Sequence, residues 1–140
     1  MKNLIEFLNN KLANTLNNEE IINYIKDYNY EPIYVENNTN TYLKTLLHRC
    51  DKYEVYQIDW PKQSFAPLHR HPKNGCVLKV IQGRLHEIVY QGITLIKNNV
   101  HIKGKVSYID DSIGLHKVHA LEDTISLHIY APPNFYDQKN

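Results

Sequence analysis

Between Tyr42 and Tyr130 the chain is cut into short runs rich in β-branched and aromatic residues, and this segmentation limits the fold more than any other feature. The runs cover Tyr42 to His48, Tyr53 to Ile58, Cys76 to Ile81, Leu85 to Tyr90, Gly92 to Ile96, Val106 to Ile109, Leu115 to His119 and Ile125 to Tyr130. Gln82-Gly83-Arg84 and Gln91-Gly92 are compact turn signals between strands. About eight strands joined in this way predict a meander or a jelly-roll, closed on itself to manage its edges. An all-β barrel is the expected body.

Ahead of that body, Leu4, Leu8, Leu12 and Leu16 recur at helical spacing, with Ile5 and Phe7 beside them. Asn17-Asn18-Glu19-Glu20 reads as a break and a new N-cap before Ile21, Ile22 and Ile25. Two amphipathic helices within residues 1–30 are therefore expected to pack on the barrel. Pro32 ends the helical character, and Asn37 to Asn40 reads as a loop. With 140 residues, 42% of them hydrophobic, one domain over 1–140 with its barrel at 42–133 is the expectation.

The net charge of +1, with lysines spread along the chain, gives no electrostatic case for a nucleic acid or an anionic membrane as partner. Small uncharged or zwitterionic ligands suit it better. No apolar run approaches the roughly 18 residues needed to span a bilayer, and the first residues lack the apolar core of a secretion signal. Cys50 and Cys76 are too few for a disulfide framework. A cytoplasmic monomer with free thiols is the resulting expectation.

Eight histidines in so short a chain point to chemistry. In Pro67-Leu68-His69-Arg70-His71, side chains two apart on an extended segment face the same way and can grip one metal ion. The same spacing also occurs as a surface or packing feature. A third ligand has to come from elsewhere in the fold, and His116, after Ile113-Gly114-Leu115 at the start of a late strand, is the best candidate. Three neutral imidazoles leave positions open for a chelating substrate and dioxygen, which favours redox chemistry over a closed structural site. In Ser126-Leu127-His128-Ile129-Tyr130, alternation puts Ser126, His128 and Tyr130 on one face. Turned into a barrel, these three form a hydrogen-bonded row; turned outward, they are the wet face of an edge strand.

These residues sit in stretches that resemble the cysteine dioxygenases, over most of Tyr42 to Pro133. The stretches are His69-x-His71 followed by Cys76, then Leu78-Lys79-Val80-Ile81-Gln82-Gly83, then Tyr108-Ile109-Asp110-Asp111-Ser112-Ile113-Gly114-Leu115-His116-Lys117-Val118, and finally Ser126-Leu127-His128-Ile129-Tyr130-Ala131-Pro132-Pro133. The resemblance implies a cupin-type jelly-roll with ferrous iron on His69, His71 and His116. It implies a thioether between Cys76 and Tyr130, although Cys76 taken alone reads as a small buried hydrophobe. It also implies a polar relay of Ser126 and His128 behind Tyr130, with His128 outside the metal's ligand set. Trp60 matches in position and is expected to serve packing.

The implied activity is oxidation of L-cysteine by dioxygen to cysteine sulfinic acid, with Tyr130 orienting substrate and oxygen. Two positions depart from the family. Where the family has Tyr-x-Arg, with the arginine clamping the substrate carboxylate, this chain has Tyr42-Leu43-Lys44, which keeps the charge and loses the two-pronged fit. Arg49 or Arg70 could compensate, although Arg49 reads as a surface residue near the turn at Asp51. Arg70 stands where the family commonly has aspartate, and is expected to point away from the metal. Lys44 keeps another small thiol acid, such as 3-mercaptopropionate, open as substrate. A cupin of different activity with another metal, and a non-catalytic metal-binding cupin, are the remaining alternatives. His48, His86, His101 and His119 are expected in surface or packing roles, with a bend at His119 the one route by which it could reach the site.

Overall fold

The computed structural model describes residues 1–137. Two helices, α1 (Lys2–Lys11) and α2 (Glu19–Asp27), precede nine strands: β1 (Leu43–Arg49), β2 (Glu54–Trp60), β3 (Phe65–His69), β4 (Cys76–Gln82), β5 (Leu85–Gln91), β6 (Thr94–His101), β7 (Val106–Ile109), β8 (Leu115–Ala120) and β9 (Thr124–Tyr130). The strands form a five-stranded sheet in the order β1-β2-β9-β4-β7 and a four-stranded sheet in the order β3-β8-β5-β6. Their pairs are antiparallel. With β9 inserted between β2 and β4, the topology is a jelly-roll and not a meander, so the mainly-β, cupin-type expectation with N-terminal helices holds.

Alternation along the central strands divides the interior into two clusters. Facing the second sheet, Tyr56, Ile58 and Trp60 of β2, Cys76, Leu78 and Val80 of β4 and Tyr130 of β9 meet Ala66, Leu85, Val89 and Val118. On the other face, Val55, Val77, Leu127 and Ile129 pack beneath Leu4, Leu8, Leu12, Leu16, Ile21 and Ile25. The five-stranded sheet is therefore covered on both sides, by the second sheet on one and on the other by the helices, as their apolar spacing predicts. The periodicity overstates α1, which stops at Lys11; Leu12 and Leu16 are buried from the connecting segment. Asn18 is the N-cap of α2, its side chain accepting from the Ile21 N–H. At the other end of α2 the buried Lys79 ammonium of β4 donates to the carbonyls of Ile25, Lys26 and Tyr28, satisfying groups a helix terminus leaves open.

One strand escapes the sequence pattern. Phe65–His69 contains Pro67, which cannot donate to a ladder, and the pairing of β3 with β8 slips between Ala66 and His69. β3 lies at an edge, where such a gap is tolerated. Two glycines permit close approaches near the site. A Cβ on Gly75, at φ +98°, would lie 2.4 Å from the Tyr108 ring, and one on Gly114 would lie 2.5 Å from the Tyr90 carbonyl oxygen. Among the described residues, no helix is long and apolar enough to cross a membrane.

Candidate metal centre and substrate cavity

β3 and β8 pair so that His69 lies directly opposite His116, and His71 follows two residues beyond the end of β3. Their ring nitrogens come within 4.8 Å of one another. Hydrogen bonds on the far side of each ring decide which nitrogen is bare. His69 Nδ1 is 2.7 Å from the Pro67 carbonyl, which can only accept, so this nitrogen carries the proton. His71 Nδ1 lies 3.2 Å from the Asp111 carboxylate, which also accepts from the His71 backbone N–H at 2.7 Å. His116 Nδ1 donates to Glu87 Oε2 at 2.6 Å.

All three Nε2 atoms therefore present lone pairs. Those of His69 and His116 face each other at 3.0 Å, and that of His71 is buried without a partner. A proton is a poor remedy: burial first, and neighbouring histidines second, push His69 from 6.5 down to about 4 and His71 down to about 3. A cation shared by the three lone pairs satisfies all of them, so the residues fit a metal ion. Each ligand ring is also backed by a carboxylate or carbonyl, as is usual for metal-binding histidines.

Sequence reasoning missed the deepest of these backing groups. Glu87 of β5 is buried, with Oε1 accepting from His101 Nε2 and Ser107 Oγ at 2.7 Å each. Burial works to raise its pKa, but the bonds from His101, His116 and Ser107 prevail and hold it well below the usual carboxylate range. His101, expected in a bland role, is a buried partner of this carboxylate. The remaining histidines behave as expected: His48 packs against Tyr53, His86 bonds Asn98, and His119, of opposite parity to His116 on β8, bonds Gln63 away from the triad.

The inward face of β9 carries the polar row. Trp60 Nε1 donates to Ser126 Oγ at 2.8 Å, Ser126 Oγ is 2.7 Å from His128 Nε2, and His128 Nδ1 is 3.3 Å from the Tyr130 hydroxyl. Ser126 accepts from the indole, and among the described residues His128 Nε2 is the one acceptor for its hydroxyl proton, so that proton goes to His128 Nε2. The imidazole proton then sits on Nδ1, toward the Tyr130 oxygen, and leaves the phenol proton free to point elsewhere. Burial, and next the charge of Lys44, keep His128 neutral far below the ordinary histidine range; burial also raises Tyr130. Trp60 is thus more than packing: it is the first donor of the row.

Lys44, Tyr42, Trp60, Cys76, His69 and Tyr130 line a cavity of about 340 Å³, together with His116 and His128. Cys76 on β4 is the direct cross-strand partner of Tyr130 on β9 and is fully buried, which raises its thiol pKa. The Lys44 ammonium sits among three tyrosine rings, 4.5 Å from the centroid of Tyr56, 5.1 Å from Tyr130 and 4.8 Å from Tyr136. Arg49 is committed elsewhere, to Glu54 at 2.8 Å and to Tyr56 and Asp137 at 2.9 Å each. Arg70 is exposed and pairs at 3.1 Å with Asp111, the carboxylate that also backs His71. Tyr136, a cavity wall contributed by the segment after β9, carries no sequence signal beyond its proximity to Pro132-Pro133.

The family model for cysteine dioxygenase type I matches residues 1–139. Cysteine dioxygenase type 1 of Homo sapiens is 27% identical over 149 residues, covering 95% of this chain and 74% of that protein. The enzyme of Rattus norvegicus is 29% identical over 150 residues, with the same two coverages of 95% and 74%. Among solved structures, KdgF from Halomonas sp. is similar with a TM-score of 0.61 at 12% identity, over 74% of this chain and 89% of that one. An RmlC-like cupin from Shewanella frigidimarina also reaches 0.61, at 15% identity over 75% and 88%. At such identities the two structures speak for the cupin fold alone. The family match is of another kind, because it runs from α1 through the strand of Ser126, His128 and Tyr130: the chain belongs to the cysteine dioxygenase type I family.

Proposed function

We propose that the chain is an iron-dependent thiol dioxygenase that oxidises L-cysteine with dioxygen to cysteine sulfinic acid. One observation carries this reading: three imidazole lone pairs converge beside a cavity that also holds a tyrosine hydroxyl and a single ammonium. His69, His71 and His116 hold the metal. Ferrous iron there supplies the Lewis acidity that favours the substrate thiolate and the electrons that activate dioxygen. The thiol and dioxygen combine so that both oxygen atoms end on sulfur, and no external reductant is consumed.

The protein's own part is placement. Lys44 pairs with the substrate carboxylate as a point charge, with its position set by the three aromatic faces around it. Tyr130, its oxygen held by the His128 N–H, directs its hydroxyl proton at the substrate carboxylate and the oxygen being transferred. Tyr42 packs at 5.0 Å on Trp60 and walls the carboxylate end. The cross-strand pairing of Cys76 with Tyr130 supports a thioether between Cys76 Sγ and the ring carbon beside the hydroxyl. Forming it removes the thiol hydrogen and a ring hydrogen, with dioxygen as oxidant, so intact protein that carries the bond weighs two hydrogens less.

One observation favours 3-mercaptopropionate as the alternative substrate. Among the described residues lining the cavity there is a lysine and no carboxylate, so a substrate amine finds no anionic protein partner. Oxygen uptake that depends on both Fe(II) and a thiol, compared for cysteine, 3-mercaptopropionate and cysteamine, tests both readings. Lys44→Ala is expected to raise KM for the two acids by about tenfold or more, the worth of a charge-assisted hydrogen bond, and to leave cysteamine nearly unaffected. Absence of thiol-dependent oxygen uptake with iron fully loaded overturns the proposal.

A further inference from the structure

We propose that Tyr136 determines the specificity of the cavity: its ring is the wall that limits how long a thiol acid the site accepts. The inference rests on the thiol dioxygenase reading and goes beyond it, to the length of the substrate. Tyr136 follows β9 and Pro132-Pro133, and its ring is placed edge-on to two groups of the site. Its centroid is 5.8 Å from that of His69 at 72° and 5.1 Å from that of Tyr130 at 74°. Its face is the third side of the cage around Lys44, 4.8 Å from Nζ. One side chain thus touches the metal-binding histidine of β3, the tyrosine of the polar row and the carboxylate anchor.

The wall is pinned on both sides. The Tyr136 hydroxyl donates to the Arg70 carbonyl at 2.7 Å, and Arg70 is the residue between His69 and His71. Its neighbour Asp137 accepts from Arg49 Nη2 at 2.9 Å, and the same nitrogen bonds the Tyr56 hydroxyl at 2.9 Å. Displacing the ring therefore costs contacts to the histidine arm and strains the neighbouring tie to Arg49 of β1. Two consequences follow for a thiol acid whose sulfur sits at the triad and whose carboxylate sits at Lys44. The distance between its two anchors is set, because Lys44 is held by three aromatic faces. Any extra methylene has to press on the Tyr136 ring.

The test uses the chain's single tryptophan, Trp60, which lines the same cavity, as the reporter. Zn(II)-loaded protein, which binds thiols without turning them over, is titrated with L-cysteine and with L-homocysteine, one methylene longer, and Trp60 fluorescence gives the two dissociation constants. The unsubstituted chain is expected to prefer cysteine by about tenfold or more, the usual worth of one methylene in a shaped pocket. Tyr136→Ala is expected to remove most of that preference by tightening homocysteine, and Tyr136→Phe, which keeps the ring and loses only the Arg70 bond, to retain it. A purely structural role would weaken both thiols alike. Preference unchanged in Tyr136→Ala, or lost equally in Tyr136→Phe, overturns the assignment. If Tyr136→Ala shows no cooperative thermal unfolding, Tyr136→Leu replaces it in the same titration. Failure of the unsubstituted, metal-loaded chain to bind either thiol overturns the thiol reading itself, a result distinct from loss of the length preference alone.

Discussion

Glu87→Gln keeps the shape of a buried side chain and removes the charge behind His116. In the structure one carboxylate oxygen accepts from His116 Nδ1 at 2.6 Å, and the other accepts from His101 Nε2 and Ser107 Oγ at 2.7 Å. An amide offers one oxygen where the carboxylate offers two. If its NH₂ faces His116, two donors confront each other, and the imidazole turns to the tautomer whose proton sits on Nε2, the nitrogen that faces His69. If its oxygen faces His116, the ring keeps its tautomer but loses the negative charge that makes it a better metal donor. Both routes weaken the metal site, by about 10–100-fold as outer partners of metal ligands usually do. At about 1.4 kcal/mol per decade this is about 1.4–2.8 kcal/mol. The metal-free protein is expected to unfold at a lower temperature as well, because the NH₂ side of the amide cannot accept and leaves a buried donor unpaired. Anaerobic titration of metal-free protein with Co(II), followed by Trp60 fluorescence, measures the affinity directly. Ser107→Ala, which removes one bond to the other oxygen, serves as the milder control. An affinity within about threefold of the unsubstituted chain, well short of the usual loss, refutes the view that Glu87 tunes His116.

Ser126→Ala is expected to strand the Trp60 N–H and the His128 Nε2, costing about 1–3 kcal/mol in urea unfolding, to slow turnover, and to leave metal affinity unchanged; equal stability and equal turnover would contradict the row. Acid is expected to destabilise the metal-free protein. His69 and His71 have folded pKa values of about 4 and about 3 against an ordinary 6.5, and His128 is lowered too, so the unfolded chain takes up protons first as the pH falls. Stability is then full above about pH 6.5 and is lost progressively toward about pH 4 and below. Urea midpoints measured across that range check the slope, and a flat profile is inconsistent with three imidazoles held neutral in the fold.

Much of this site was legible in the sequence wherever one segment carries its own periodicity. The alternation at Ser126–Tyr130 marks an inward polar face, the spacing of His69 and His71 marks a chelating pair, and the leucine and isoleucine spacing marks helices that cover a sheet. What stayed hidden depends on pairing between distant segments. Glu87 looks like any charged residue on a strand until β5 is set beside β8, where Val89 meets His116 and the carboxylate reaches its Nδ1. His101 was hidden for the same reason, its partner being 14 residues away across the β5–β6 pair. β3 was hidden by its own proline, and Tyr136 by a loop whose path no local pattern specifies.

The position of β9 explains why the polar row can be rigid while a neighbouring wall is replaceable. β9 pairs with β2 on one side and β4 on the other, its Leu127 and Ile129 lie under the helices, and Ser126, His128 and Tyr130 face the cavity. A slip of one residue in either pairing would exchange these faces, sending an imidazole and two hydroxyls into the apolar layer beneath α1 and α2. The helices thereby fix the register that sets Cys76 against Tyr130, although they touch no group of the site. Tyr136 has no such constraint. It is held at the rim by its own hydroxyl on the Arg70 carbonyl and by the Arg49–Asp137 bond beside it, and exchanging it alters the wall without disturbing a ladder. Within one fold, the chemistry is thus tied to the doubly covered sheet, and the length of the substrate is left to a residue that can change by itself.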